Sequence, residues 1–295
     1  MAVKIDGLAT ETRNEKTKDL DLLDTQQILE IMNEEDLKVV EAVKEALPSI
    51  GKLIEETARA YRNGGRIIYI GAGTSGRLGL MDAVEVVPTF NSERFVGLIA
   101  GGDNAFVKAV EGAEDSQELC VKDLKSIGLN ETDFVIGVAA SGRTPYVIGG
   151  LHYARELGCS TGCVCCNTGT EIAKHCDYPI EMNAGPEVVT GSTRLKAGTC
   201  QKIVLNMIST VTMIRAGKVF GNLMVDVRAT NEKLVERCRR IVMEATGCDH
   251  DTADEVLKRT GNDCKKAIVM LLLGVSEEEA GRRLAEAEGS IRKAL

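Results

Sequence analysis

No stretch of this 295-residue chain reaches the roughly 20 consecutive apolar residues that a membrane-spanning helix requires. The longest apolar runs, such as Ala267 to Val275, stop well short of it. Nor does the first segment, MAVKIDGLATETRNEK, carry the basic end and apolar run of an export signal, so the expected location is the cytoplasm. Basic residues are outnumbered, 36 Lys and Arg against 44 Asp and Glu, giving a formal charge of −8, and they are scattered. That excludes the broad positive field that holds nucleic acid or an acidic membrane. It leaves room for a small anion, which a few backbone N–H groups can attract whatever the net charge.

Cysteine, by contrast, is plentiful at ten residues. With no export signal, reduced thiols are a better account than a disulfide framework. Cys163 and Cys166 have CxxC spacing, and Cys159, Cys165, His175 and Cys176 lie nearby. Alternation along a strand would send Cys163 and Cys165 to one face and Cys166 to the other, so buried strand thiols are expected and no metal.

Hydrophobic residues make up 44% of the chain, enough for a large core. From Asp19 to Arg62 they recur at helical spacing, with Pro48 expected to kink or divide the second of two helices. Strand-like runs then follow at Arg66–Ile70, Phe95–Ala100, Phe134–Ala139 and Thr161–Cys166, separated by helical stretches at Ala105–Ile127 and Pro145–Leu157. This alternation predicts an α/β fold, a three-layer sandwich around a mainly parallel sheet. A long helix is expected over Arg194–Ile214, capped by Gly191-Ser192-Thr193. Beyond Asn222 the pattern reads as wholly helical, with Gly247, Gly261 and Gly274 dividing the last fifty residues into about three short helices. The expected organisation is N-terminal helices over 1–62, an α/β domain over 63–222 and a helical region with a small bundle over 223–295.

Two loops fall at strand ends, where parallel sheets bind ligands. The first, Gly71-Ala72-Gly73-Thr74-Ser75-Gly76-Arg77, matches GxGxxG. A dinucleotide site also needs an acidic residue at the end of the second strand, and Glu93 precedes that strand instead. The second, Ala140-Ser141-Gly142-Arg143-Thr144-Pro145, repeats Ser-Gly-Arg. Hydroxyls and Gly-exposed N–H groups at two helix N-termini suit one phosphate on a small molecule better than a pyrophosphate bridge. Gly73, Thr74, Ser75, Ser141, Gly142 and Thr144 are the expected phosphate ligands. Arg77 and Arg143 are left out of that set as residues that pair with carboxylates.

These loops resemble the paired Ser/Thr-rich loops of the sugar isomerase domain. GAGTSGRLG, DAVEVVPT, LIAGGDNAFVKAVEGAEDS, AASGRTPYV, EVVTGSTRLKAGTCQK and GKVFGNLMVDVRATNEKL are similar, in this order, to the successive motifs of the bacterial N-acetylmuramic acid 6-phosphate etherases. The resemblance covers nearly the whole chain. It implies cleavage of the lactyl ether at carbon 3 of the phosphosugar, a homodimer, and no metal or organic cofactor. It also implies Glu85 as proton donor to the departing oxygen and Glu114 as the group that moves the proton on carbon 2. The residues around Glu85 differ from those of many members, while the glutamate is kept. Lys196 is expected either near the sugar or on a solvated helix face, and His152 and His175 are unassigned. The last helices are similar to a small partner-binding module, with a lid or dimer-packing element the preferred reading.

The implied reaction suits two carboxyl groups. In the open sugar the ether lies β to the carbon 1 aldehyde, so elimination needs a base at carbon 2 and an acid at the leaving oxygen. Water then adds back at carbon 3. Partial burial would move a glutamate toward the pKa this needs, and each positioned proton transfer is worth on the order of 10²–10⁴ in rate. Two other readings share the loops: an aldose/ketose isomerase, and a phosphosugar-binding regulator without turnover.

Overall fold

The computed structural model describes residues 7–108, 110–229 and 231–295. Its contacts divide the chain into two compact units. One holds the residues up to Ala83 with Arg94–Ser209, and the other holds Val84–Glu93 with Thr210–Leu295. The division therefore falls within the helix that ends at Arg215, ahead of the expected boundary at 222.

In the first unit, three 3₁₀ turns between Ala9 and Leu22 lead to α1 (Thr25–Arg62), which opens with a capping box of Asp24 and Gln27. Then come β1 (Ile67–Gly71), α2 (Gly73–Phe90), β2 (Phe95–Ile99), α3 (Asn104–Val107), α4 (Gln117–Ser126), β3 (Phe134–Ala139), α5 (Pro145–Glu156), β4 (Ser160–Cys165), β5 (Tyr178–Glu181) and α6 (Lys196–Arg215). Helices α2 and α6 both run on into the second unit.

The five strands form one parallel sheet in the order β2-β1-β3-β4-β5. Alternation along each strand sets the layers. Ile68, Ile70, Val135, Ala139, Cys163 and Cys165 join the cluster that α4 and α5 cover. On the other face Gly162 lies against Leu53 of α1 and Gly79 of α2 against Tyr69. The α/β sandwich is as expected, with a fifth strand added at the edge.

Two local expectations fail. Pro48 does not divide α1, which is a continuous helix of 38 residues. The proline lies on the exposed face, while Val43, Ala46 and Ile50 on the buried face carry the packing past it. The stretch 105–127 is not one helix either. Gly112 adopts φ +74°, a 3₁₀ turn follows at Ala113–Asp115, and Ser116 caps a fresh helix by accepting from the Leu119 N–H at 3.2 Å.

The strand thiols lie as alternation predicts: Cys163 and Cys165 share a face with sulfurs 3.8 Å apart, and Cys166 turns to the Ala197 carbonyl. Burial pushes the Cys159 thiol up to about 11.

The second unit holds the hairpin strands β6 (Val219–Phe220) and β7 (Leu223–Met224), then α7 (Glu232–Thr246), α8 (His250–Arg259), α9 (Cys264–Leu273), α10 (Glu277–Glu286) and α11 (Ile291–Ala294). Residues 223–229 are thus not helical as expected. Cys238, Val242, Leu257, Ile268 and Ile291 sit in its separate core. Among the described residues no helix is long and apolar enough to cross a membrane.

Candidate active site at the carboxyl ends of the strands

Strand order reverses about β1: the chain steps from β1 out to β2 and returns to β3 on the other side. Such a switch point opens a crevice at the carboxyl ends of the strands. Gly71 pairs with Val138, so the two Ser-Gly-Arg loops leave neighbouring strands at almost the same level. Helix α2 starts immediately at Gly73 and α5 starts at Pro145. Close approach fixes the first loop, since a Cβ on Gly76 would stand 2.7 Å from the Gly71 carbonyl oxygen. In the second loop Gly142 has φ +70°, and a Cβ there would press on Thr170. The Thr144 side chain makes no capping hydrogen bond to α5.

A cavity of about 190 Å³ opens beside the first loop. Ala72 and Gly73 line one part of it, and Glu111, Gly112 and Glu114 line another. Arg77, also in its wall, holds the break before α4 in shape by donating to the carbonyls of Phe106 and Ala105 at 2.9 and 2.8 Å. The expected carboxylate partner of Arg77 is thereby replaced by two backbone oxygens, which carry the partial negative charge at the end of a short helix. Glu111 and Glu114 are both exposed.

Helix α6 borders the same loops, with a Cβ on Gly198 reaching to 3.6 Å from Thr74. Its start is not capped by the Ser192-Thr193 side chains. The buried Glu187 carboxylate accepts from the Lys196 and Ala197 N–H groups at 3.0 and 2.9 Å. The Lys196 side chain is only 1% exposed and donates to Glu35 at 2.6 Å. Lys38 at 2.7 Å and Asn14 at 3.0 Å complete the surroundings of Glu35. Burial opposes ionisation there, but the Lys196 and Lys38 amines outweigh it and hold the Glu35 carboxyl at about 2. The solvated face expected as one alternative for Lys196 is therefore ruled out.

Ser75 is buried and donates to Gln201 Oε1 at 2.9 Å. Farther along α2, Asp82 accepts from Tyr69, Asn206 and Ser209, and burial raises its pKa against those hydrogen bonds.

Sequence comparison settles the family. A Bacillus cereus protein, an Exiguobacterium protein and a Geobacillus protein, each named N-acetylmuramic acid 6-phosphate etherase, are 55%, 56% and 57% identical to this chain. Each match spans 293 residues, 99% of this chain and 99–100% of the relative. The chain belongs to the N-acetylmuramic acid 6-phosphate etherase family. Residues 125–214 match the SIS domain and residues 49–155 the glucokinase regulatory protein N-terminal SIS domain. A phosphoheptose isomerase from Neisseria gonorrhoeae superposes with TM-score 0.51 at 16% identity, covering 64% of this chain and 98% of its own. A protein of E. coli CFT073, solved as a complex, gives 0.50 at 16%, covering 68% and 97%. At that identity the likeness speaks to the fold alone.

Within this etherase-family chain, the cavity brings Gly73 and Glu114 together, two positions 41 residues apart in sequence. Glu85 lies on α2 and does not line that cavity. The helix buries Val86 and leaves Val84 and Glu85 exposed, so the carboxylate is solvated within its apolar stretch. Sequence reasoning missed Glu35, Glu187 and Gln201. Glu35 and Gln201 sit at inward positions of long helices, and nothing in the sequence pairs them with Lys196 and Ser75.

Proposed function

We propose that this chain cleaves the D-lactyl ether of N-acetylmuramic acid 6-phosphate, giving N-acetylglucosamine 6-phosphate and D-lactate for cell-wall sugar recycling. The likeness of 54–57% to proteins of that name, over almost the full length of both partners, carries the reading. The matched regulatory domain adds nothing that favours a silent sensor, because the etherase relatives cover both domain matches and the remaining helices as well.

In this reading Gly73, Thr74, Ser75, Ser141, Gly142 and Thr144 cradle the phosphate at the ends of β1 and β3. Glu114 moves the proton on carbon 2, and Glu85 protonates the departing lactate oxygen. Lys196 belongs to the substrate set through the helix start it anchors. The chemistry itself is elimination across carbons 2 and 3 followed by addition of water, which two carboxyl groups supply in both directions. Glu114→Gln is expected to slow solvent-deuterium exchange at carbon 2 by on the order of 10²–10⁴-fold, while an unaffected exchange rate would remove Glu114 as the base.

The same reading gives a homodimer in the cytoplasm. Supporting the dimer, α1 presents Leu29, Leu37, Val40 and Leu47 to solvent as a stripe along a 38-residue helix. Supporting the compartment, all ten cysteines are free thiols.

A further inference from the structure

Gln201 stands behind the first phosphate loop, on α6, five residues beyond Lys196. It is 1% exposed, and its amide is only half used. Oε1 accepts the Ser75 hydroxyl at 2.9 Å, whereas Nε2 has no hydrogen-bond partner among the described residues. Buried N–H donors are rarely left unmatched, because desolvation is then uncompensated. The pairing also points the Ser75 proton the wrong way for an anion. A hydroxyl that donates to Gln201 has only lone pairs left, and a phosphate dianion needs donors.

One rotation frees the hydroxyl proton. Turning the amide by half a turn exchanges Oε1 and Nε2, so that Nε2 donates to Ser75 Oγ over the same separation. The Ser75 proton is then free to point at a phosphate oxygen. We infer that Gln201 is a positioning residue for phosphate binding, reorienting its amide when the anion arrives so that Ser75 becomes a donor to it. This rests on the phosphosugar reading of the α2 loop. Gln201 does not touch the substrate in this account; it acts through Ser75.

The test combines kinetics with a wild-type measurement. Gln201→Glu can only accept, so it keeps the Ser75 proton. It should raise both KM and the inhibition constant of inorganic phosphate by about tenfold or more, the scale of one hydrogen bond to a charged group, with kcat changed much less. Gln201→Met releases the proton without orienting it and should cost about threefold, within the scale of a neutral hydrogen bond. In a Ser75→Ala background the Glu and Met variants should draw together. A gap that survives loss of the hydroxyl would mean plain charge repulsion and would overturn the inference. In the wild type, the side-chain amide signal that disappears in Gln201→Met should shift when inorganic phosphate is added to saturation. Phosphate inhibition with no response of that amide overturns this inference alone, whereas no phosphate inhibition at all removes the loop reading along with it.

Discussion

Glu35 is ionised despite complete burial because two lysine amines lie at 2.6 and 2.7 Å. Its carboxyl is held at about 2 against an ordinary value of 4.5. A carboxyl depressed on folding contributes stability above its unfolded value and loses it as pH falls toward the folded one. On the scale of about 1.4 kcal/mol per pKa unit, the contribution is on the order of 3 kcal/mol. The melting temperature of the wild type should therefore fall on acidification from about pH 4.5 toward pH 2, and that part of the slope should be missing in Glu35→Gln. Parallel curves for the two proteins would refute the ion pair's role. Lys196→Met strands the Glu35 carboxylate with Lys38 and Asn14 alone, and a loss of about 3–5 kcal/mol in denaturant titration is expected for a broken buried pair. The pair was hidden in the sequence. Glu35 and Lys196 are 161 residues apart, and each reads as an ordinary charge on an amphipathic helix.

At the scale of elements, α4 and α5 approach closely. A Cβ on Gly149 would stand 2.6 Å from the backbone oxygen of Gln117, and one on Gly150 would stand 2.4 Å from the Cys120 sulfur. Gly149→Ala forces the helices apart where a backbone atom cannot yield. Overpacking of this kind costs about 1–3 kcal/mol, to be read from the thermal transition. An unchanged or higher melting temperature would show that α4 gives way freely.

Elements also show what could be read in advance. Strands β1 to β4 stood out because Ile, Val, Phe and Cys run together in them. Strand β5 did not, since Tyr178-Pro179-Ile180-Glu181 is short and carries a proline, which an edge strand tolerates. The break between α3 and α4 was masked by apolar residues that keep helical spacing through Val110 and Ala113, although Gly112 and Ser116 were the signals for it. That break places Glu114 in the wall of the cavity beside Gly73. The loops at the strand ends were legible from chemistry alone, whereas Glu85 and Glu114 are candidates only through family motifs.

For the whole molecule, the exposed α1 stripe makes association testable. Leu37→Glu with Val40→Glu places two charges in the middle of it and should shift the molar mass in solution, measured by light scattering, from dimer toward monomer. A dimer unaffected by both charges would place the interface elsewhere. The reaction itself can be measured directly. Purified protein incubated with N-acetylmuramic acid 6-phosphate should release D-lactate and N-acetylglucosamine 6-phosphate in equal amounts, and folded Glu85→Gln and Glu114→Gln proteins should each lose on the order of 10²-fold or more of that rate. Tight binding of the phosphosugar with no lactate formed, or near-normal lactate release from either variant, would contradict the account.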